Sequence, residues 1–209
     1  MYSQNTEEQI LIEYFKGREV TCLSIGENRG LELSNVRQLI LNGCHATLVE
    51  PAPEAFRQLT ELYLDRDDVH CINVAVSDYI GKAKFYDSGT HLGKGDLSLV
   101  SSLSEEETKR WLNSTKFNEI EVDVVDFKTL LNLSRYKKFE LISCDAEGND
   151  VVILKQINLK EIGCEVLCIE WNSKQEILKE ITDYCSQFGL TKQLLKNAEN
   201  IILSASKML

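Results

Sequence analysis

Two short acidic runs hold the groups best suited to chemistry. Asp145-Ala146-Glu147-Gly148-Asn149-Asp150 follows the apolar run 139–144, and Glu170-Trp171-Asn172 follows the apolar run 165–169. A carboxylate at the tip of a buried strand is placed to take a proton from a substrate hydroxyl. Like-charged neighbours raise its pKa towards the range a general base needs. Asp145 is the first candidate for base or orienting group, and Glu147 the second. The plainer reading is that both cap the following helix and complement its dipole. If the two strand tips are adjacent, Asp145, Glu170 and Asn172 also offer three oxygen ligands to Mg²⁺.

A second grouping lies near the N-terminus. The apolar run 20–25 leads into Gly26-Glu27-Asn28-Arg29-Gly30, and a helix is expected over 31–41. A strand, a glycine turn and a helix N-terminus make a ligand cradle: the glycines allow close backbone approach, and the first helical N–H groups face the ligand. The next apolar run, 46–49, ends in Glu50-Pro51, an acidic tip placed to accept hydrogen bonds from ribose hydroxyls. A nicotinamide dinucleotide fits poorly, because its phosphate turn reads G-x-G-x-x-G and this one reads Gly26-x-Asn28-x-Gly30.

The elements that position these groups alternate. Helical spacing is expected over 7–16, 31–41, 53–64, 105–111, 127–133, 150–157 and 174–188, and strand character over 20–25, 46–49, 69–76, 83–86, 120–124, 139–144 and 165–169. The last stretch reads as a hairpin, 190–195 and 200–204, around Lys196 to Glu199. Such alternation predicts one α/β domain with a doubly wound, mostly parallel, seven-stranded Rossmann-like sheet and a C-terminal antiparallel hairpin. Ligands of such sheets bind beyond the carboxyl ends of the strands, where every unusual feature above falls. Residues 87–118 lack clear periodicity and are expected to form a substrate-side loop and helix insertion. The alternating strand near Glu119 to Val125 is a candidate edge for pairing in a homodimer.

Bulk properties narrow the function classes. The chain has 209 residues and a net charge of −10. That balance argues against a nucleic-acid partner, whose affinity comes from clustered Lys and Arg. Met1 to Glu8 is polar and acidic, unlike a signal peptide, and no apolar run reaches the ~20 residues of a membrane span, so the reading is cytoplasmic with no membrane partner. Seven cysteines without a C-x-x-C pair read as reduced core thiols.

Four segments, in order, resemble the FkbM-type S-adenosylmethionine-dependent methyltransferases: Ile-Gly-Glu-Asn-Arg-Gly at 25–30, Val-Glu-Pro-Ala-Pro at 49–53, Asn-Val-Ala-Val-Ser-Asp at 73–78 and Cys-Asp-Ala-Glu-Gly-Asn-Asp at 144–150. The resemblance runs from Val20 to Trp171. It implies a class I methyltransferase fold with S-adenosyl-L-methionine as cofactor. Gly26, Asn28 and Gly30, with Ser24 and Glu27 in the same turn, would hold the methionine part. Glu50, with Pro51, would hold the ribose. Asn73, Val74, Ala75 and Ser77 would border the adenine, with Asp145 beside the reacting groups. Family members are mostly O-methyltransferases of sugars or natural products, which implies a small-molecule or carbohydrate acceptor. The chain departs from the family at Ser24, usually Asp, and at Ser143, usually Lys. Those departures keep open a second reading, a catalytically degenerate cofactor-binding or interaction module. The grouping of Asp145, Glu170 and Asn172 is similar to the metal arrangement of catechol-type O-methyltransferases, which the FkbM resemblance does not require.

On the acceptor side, His91, Ser101, Ser102 and Trp171 are candidates, and Trp111 could stack on a ring. His45 and His70, in or beside strands, read as structural.

Overall fold

The computed structural model describes residues 2–89 and 98–206. Five parallel strands form the body of the main sheet: β1 (Thr21–Ile25), β2 (His45–Val49), β3 (Val69–Ile72), β7 (Leu141–Cys144) and β8 (Val166–Glu170). The closing hairpin, β9 (Leu190–Lys196) and β10 (Asn200–Ala205), adds two more. Strand order is β3-β2-β1-β7-β8-β10-β9, and β10 runs antiparallel to both of its neighbours. The order reverses between β1 and β7, so a crevice opens at their carboxyl ends.

The near-continuous apolar runs follow from burial on both faces. Alternate residues serve two cores. Leu23, Ile25, Ile142, Cys144, Leu167 and Ile169 pack on one face. Cys22, Leu141, Val166 and Cys168 pack on the other. Helices α1 (Glu7–Tyr14), α2 (Arg37–Leu41), α3 (Pro53–Leu62), α5 (Phe127–Leu133), α6 (Asp150–Leu154), α7 (Leu159–Ile162) and α8 (Gln175–Ser186) cover the sheet, while α4 (Glu105–Thr108) leads into the turn that brings Arg110 and Trp111 to the crevice. Pro53 stands at the start of α3, where its missing N–H costs nothing. All seven cysteines are free thiols, six of them buried. Among the described residues no helix is long and apolar enough to cross a membrane.

Several expectations need correction. The helix expected over 31–41 begins only at Arg37. Leu31 and Leu33 do not join the core: both are exposed, and Leu33 takes a φ of 62°. Ser34 Oγ accepts from the N–H groups of Val36 (3.3 Å) and Arg37 (3.0 Å) and so starts the helix late. The strand expected over 69–76 breaks at Asn73, whose Nδ2 donates to the carbonyls of Glu50 (2.7 Å) and Pro51 (3.1 Å). The chain then leaves the main sheet and enters a separate three-stranded one. Its members are β4 (Ala75–Val76), β5 (Gly81–Asp87) and β6 (Asn118–Val125), in the order β4-β6-β5. The candidate dimer edge at 119–125 is therefore an inner strand, flanked by β5 and at its end by β4. The helix expected over 150–157 stops at Leu154, and α7 follows it.

Candidate active site

Register brings the three acidic or glycine-bearing tips together. Ile25 pairs with Val49 on one side and Cys144 on the other, so Gly26, Glu50 and Asp145 emerge side by side. The N–H of Asp145 donates to Ile25 O (3.0 Å) and that of Gly26 to Val49 O (2.9 Å). Gly26 has φ +80°, and a Cβ there would collide with the carbonyl oxygen of Asp145. The close approach this glycine permits is thus between two strand tips. Gly30, φ +71°, likewise faces protein: a Cβ would sit 2.7 Å from Leu59 Cδ1.

Beyond these tips lies a cavity of about 660 Å³. That is ample for a nucleoside-sized ligand with space left for an acceptor. Of the residues singled out by sequence, Ser24, Gly26, Glu27, Asn28, Glu50 and Pro51 line one part of it, with Val74 and Ala75 beside them. Asp145, Glu147, Glu170, Asn172 and Ser101 line it too, as do Arg110 and Trp111. Gly30 lies behind the turn and packs on α3. Asn73 is exposed and braces the Glu50-Pro51 backbone. Ser77 serves the second sheet: its N–H donates to Val125 O (3.0 Å). Ser102 is buried, and its Oγ donates to Glu147 O (2.7 Å), so it positions the acidic turn from behind the wall. Trp171 is buried in the core with its Nε1 donating to Asn197 O (2.9 Å), which takes it away from an acceptor. His91 lies outside the described residues. His45 bonds Tyr136 Oη (3.2 Å), and His70 Nδ1 accepts from the Arg135 N–H (3.2 Å), both structural contacts.

The carboxylates are held differently. Glu50 is only 4% exposed. Its Oε2 accepts from the N–H of Asn28 (2.8 Å) and its Oε1 from that of Ala52 (2.7 Å). Burial pushes its pKa up to about 8 against those two bonds, with the charges of Glu27 and Asp87 adding to the rise. Glu27, also 4% exposed, accepts from Ser34 Oγ (2.6 Å). Burial raises it to about 7, while the Ser24 and Ser34 hydroxyls and the charge of Arg37 pull it down. Asp145 has much of its surface open, but it opens into the cavity and protein surrounds the carboxyl. That burial and the charge of Asp150 raise it to about 7. Burial and the charge of Asp145 push Glu147 well up, and the same two causes act on Glu170. Arg110 opposes both Asp145 and Glu147, its guanidinium lying 4.0 Å from Glu147.

The carboxyl oxygens of Asp145, Glu147 and Glu170 lie within 4.8 Å of one another. Asp150, by contrast, turns inward and accepts from the N–H groups of Ala146 (2.9 Å) and Gly148 (3.2 Å), which folds the acidic turn.

The sequence profile of the Methyltransferase FkbM domain matches residues 24–198. The chain belongs to the FkbM methyltransferase family. Its fold is that of class I methyltransferases, and family and fold together support an S-adenosylmethionine-dependent methyltransferase. A candidate RNA methyltransferase from Pyrococcus horikoshii superposes with a TM-score of 0.51 at 12% identity, over 98% of this chain and 83% of that one. Precorrin-6y C5,15-methyltransferase from Geobacter metallireducens gives a TM-score of 0.50 at 8% identity, over 96% and 87% of the two chains. At such identities the likeness is one of fold. Comparison with curated protein sequences gives no match.

In this FkbM methyltransferase the two departures at Ser24 and Ser143 are register partners on β1 and β7, and both are buried. Asn35 Nδ2 donates to Ser143 Oγ (3.3 Å), so an uncharged network fills this part of the cavity floor. Sequence reasoning missed Asn35 and Arg110. Arg110 reaches the site from a segment distant in sequence, and Asn35, five residues past the glycine turn, lies where a helix rather than a cavity wall was expected.

Proposed function

We propose that the protein transfers a methyl group from S-adenosylmethionine to a hydroxyl of a small, polar acceptor such as a sugar or a natural product. The carrying observation is that Glu50, the glycine turn and the Asp145–Glu147 carboxylates share one cavity. The residues present suit the cofactor. Glu50 is fixed by two backbone bonds, and its oxygens keep lone pairs for the ribose hydroxyls. Val74, Ala75, Val76 and Phe85 give an apolar wall against which an adenine can lie. When bound, the sulfonium supplies a methyl group that passes in line to the acceptor oxygen while the C–S electron pair stays on sulfur.

The chain's own residues do the rest. Asp145 accepts the proton leaving the acceptor hydroxyl, and its raised pKa keeps it near the value a base needs at neutral pH. Ser102 fixes the turn that carries Glu147, and Arg110 tempers the charge of the carboxylate group. Trp111 and Asn172 offer the aromatic face and amide that a polyhydroxylated ring calls for.

Calorimetric titration with S-adenosylmethionine and S-adenosylhomocysteine, with NAD as control, is the test. Saturable binding of both sulfur compounds, weakened in Glu50→Ala, is expected. So is turnover on hydroxylated acceptors that Asp145→Asn abolishes. Failure of the folded protein to bind either sulfur compound refutes the reading.

A further inference from the structure

The part of the cavity built by the glycine turn contains a buried carboxylate, Glu27, which the family resemblance places beside the methionine part without saying which group it meets. Glu27 faces the cavity from the turn, 4% exposed, with one oxygen fixed by Ser34 Oγ at 2.6 Å. Arg37, whose charge reaches Glu27, makes its own hydrogen bonds elsewhere: Nη1 donates to Gly30 O and to Tyr63 Oη, both at 3.3 Å. The other acidic groups here already have work. Glu32 is half exposed and paired with Arg29 at 3.0 Å, and Glu50 takes two backbone N–H groups at the next strand tip. Burying a carboxylate that is bonded only to neutral hydroxyls is costly, and a ligand that brings a positive charge into contact with it reduces that cost. Ser24, on the strand just before the turn, lines the same cavity and offers Glu27 only a neutral hydroxyl, so both side chains that bond this carboxylate are uncharged.

We propose that Glu27 is the seat of the ligand's α-ammonium group, so that the carboxylate which reads the amino-acid part of the cofactor stands on the glycine turn rather than at the end of β1, where this chain has Ser24. The proposal rests on the reading above and deepens it: it explains how the cavity distinguishes a nucleoside carrying a methionine tail from the bare nucleoside. It also makes the serine at position 24 a consequence of the acid at 27, since two carboxylates there would repel each other in a buried setting.

The test compares S-adenosylhomocysteine with 5′-methylthioadenosine, which keeps the nucleoside and the thioether but lacks the amino-acid part. Wild type should prefer the former. Glu27→Gln should lower affinity for S-adenosylhomocysteine about 10- to 100-fold, the worth of one charged hydrogen bond, and leave methylthioadenosine binding unchanged. The double variant Ser24→Asp with Glu27→Gln should regain most of the preference, a rescue that a purely structural role of Glu27 would not give. Unchanged S-adenosylhomocysteine affinity in Glu27→Gln overturns the assignment, and so does equal loss of both ligands. If wild type binds neither compound, the cofactor reading itself falls, a result distinct from wild-type binding that ignores residue 27.

Discussion

Replacing Gly26 with Ala should be far more damaging than the same change at Gly189, although both glycines have φ +80°. Gly189 has open space where a Cβ would go, so Gly189→Ala meets only the left-handed backbone, worth about 1–2 kcal/mol. At Gly26 the new methyl would also run into the Asp145 carbonyl, a backbone atom held by two adjacent strands. Forcing atoms into a packed site adds about 1–3 kcal/mol. The Gly26 variant should therefore be less stable than the Gly189 variant by about 1–3 kcal/mol. For a domain of this size, each kcal/mol moves Tm by about 2–4 °C. Urea denaturation of both variants at one pH gives the difference directly, and equal m-values would show that the unfolded states are comparable. Calorimetry on the folded Gly26→Ala protein should also show weakened S-adenosylhomocysteine binding, because Asp145 must move. Equal stability of the two variants would refute the claim that the tips of β1 and β7 are in contact.

Three further outcomes follow from the site. Glu50, Glu27 and Asp145 have pKa values raised to about 8, 7 and 7 in the folded protein, above their unfolded values near 4. Groups raised on folding lend stability that is fully present below about pH 4 and lost as pH rises through 7 to 8. Across that window the ligand-free protein should lose Tm with rising pH, and Glu50→Gln should flatten the slope measured by thermal scans. Ser102→Ala removes the bond to Glu147 O and frees the acidic turn; kcat should fall about tenfold while cofactor affinity, read by calorimetry, stays unchanged. Arg110 already supplies a positive charge beside Glu147, so activity assayed with and without EDTA should be the same; loss of activity restored by Mg²⁺ would show instead that Asp145, Glu147 and Glu170 hold a metal.

What could be read from the sequence was what depends on neighbours in the chain. Strands buried on both faces announce themselves as apolar runs, and Glu50 and Asp145 stand directly after such runs, so their place at strand tips was legible. The turn ahead of α2 was not. Leu31 and Leu33 keep helical spacing, yet Ser34 captures two N–H groups and delays the helix. The break at Asn73 was equally hidden, because a β-branched run gives no sign that a side-chain amide will bond a neighbouring strand's tip. Trp171 misled for a related reason: its position after β8 suggested a ligand contact, while its indole N–H found a carbonyl in the hairpin. Arg110 was out of reach, since tertiary contact alone brings it to the cavity, and Asn35 was hidden by the same late helix start that misplaced Leu31 and Leu33.

The pairing of Ser24 with Ser143 has a consequence for how this sequence can vary. The two positions sit side by side on adjacent strands in the cavity floor, so an acid at one and a base at the other would neutralise each other there. A single charged replacement would have no counterpart at its partner position and, without a charged ligand beside it, would cost stability. Two serines keep this floor neutral, and a charge placed at either position needs a counterpart, at the partner position or on a bound ligand. Positions 24 and 143, 119 residues apart in the chain, are therefore electrostatically coupled, and a charge written into this floor has to be matched at the partner position or by the ligand it meets.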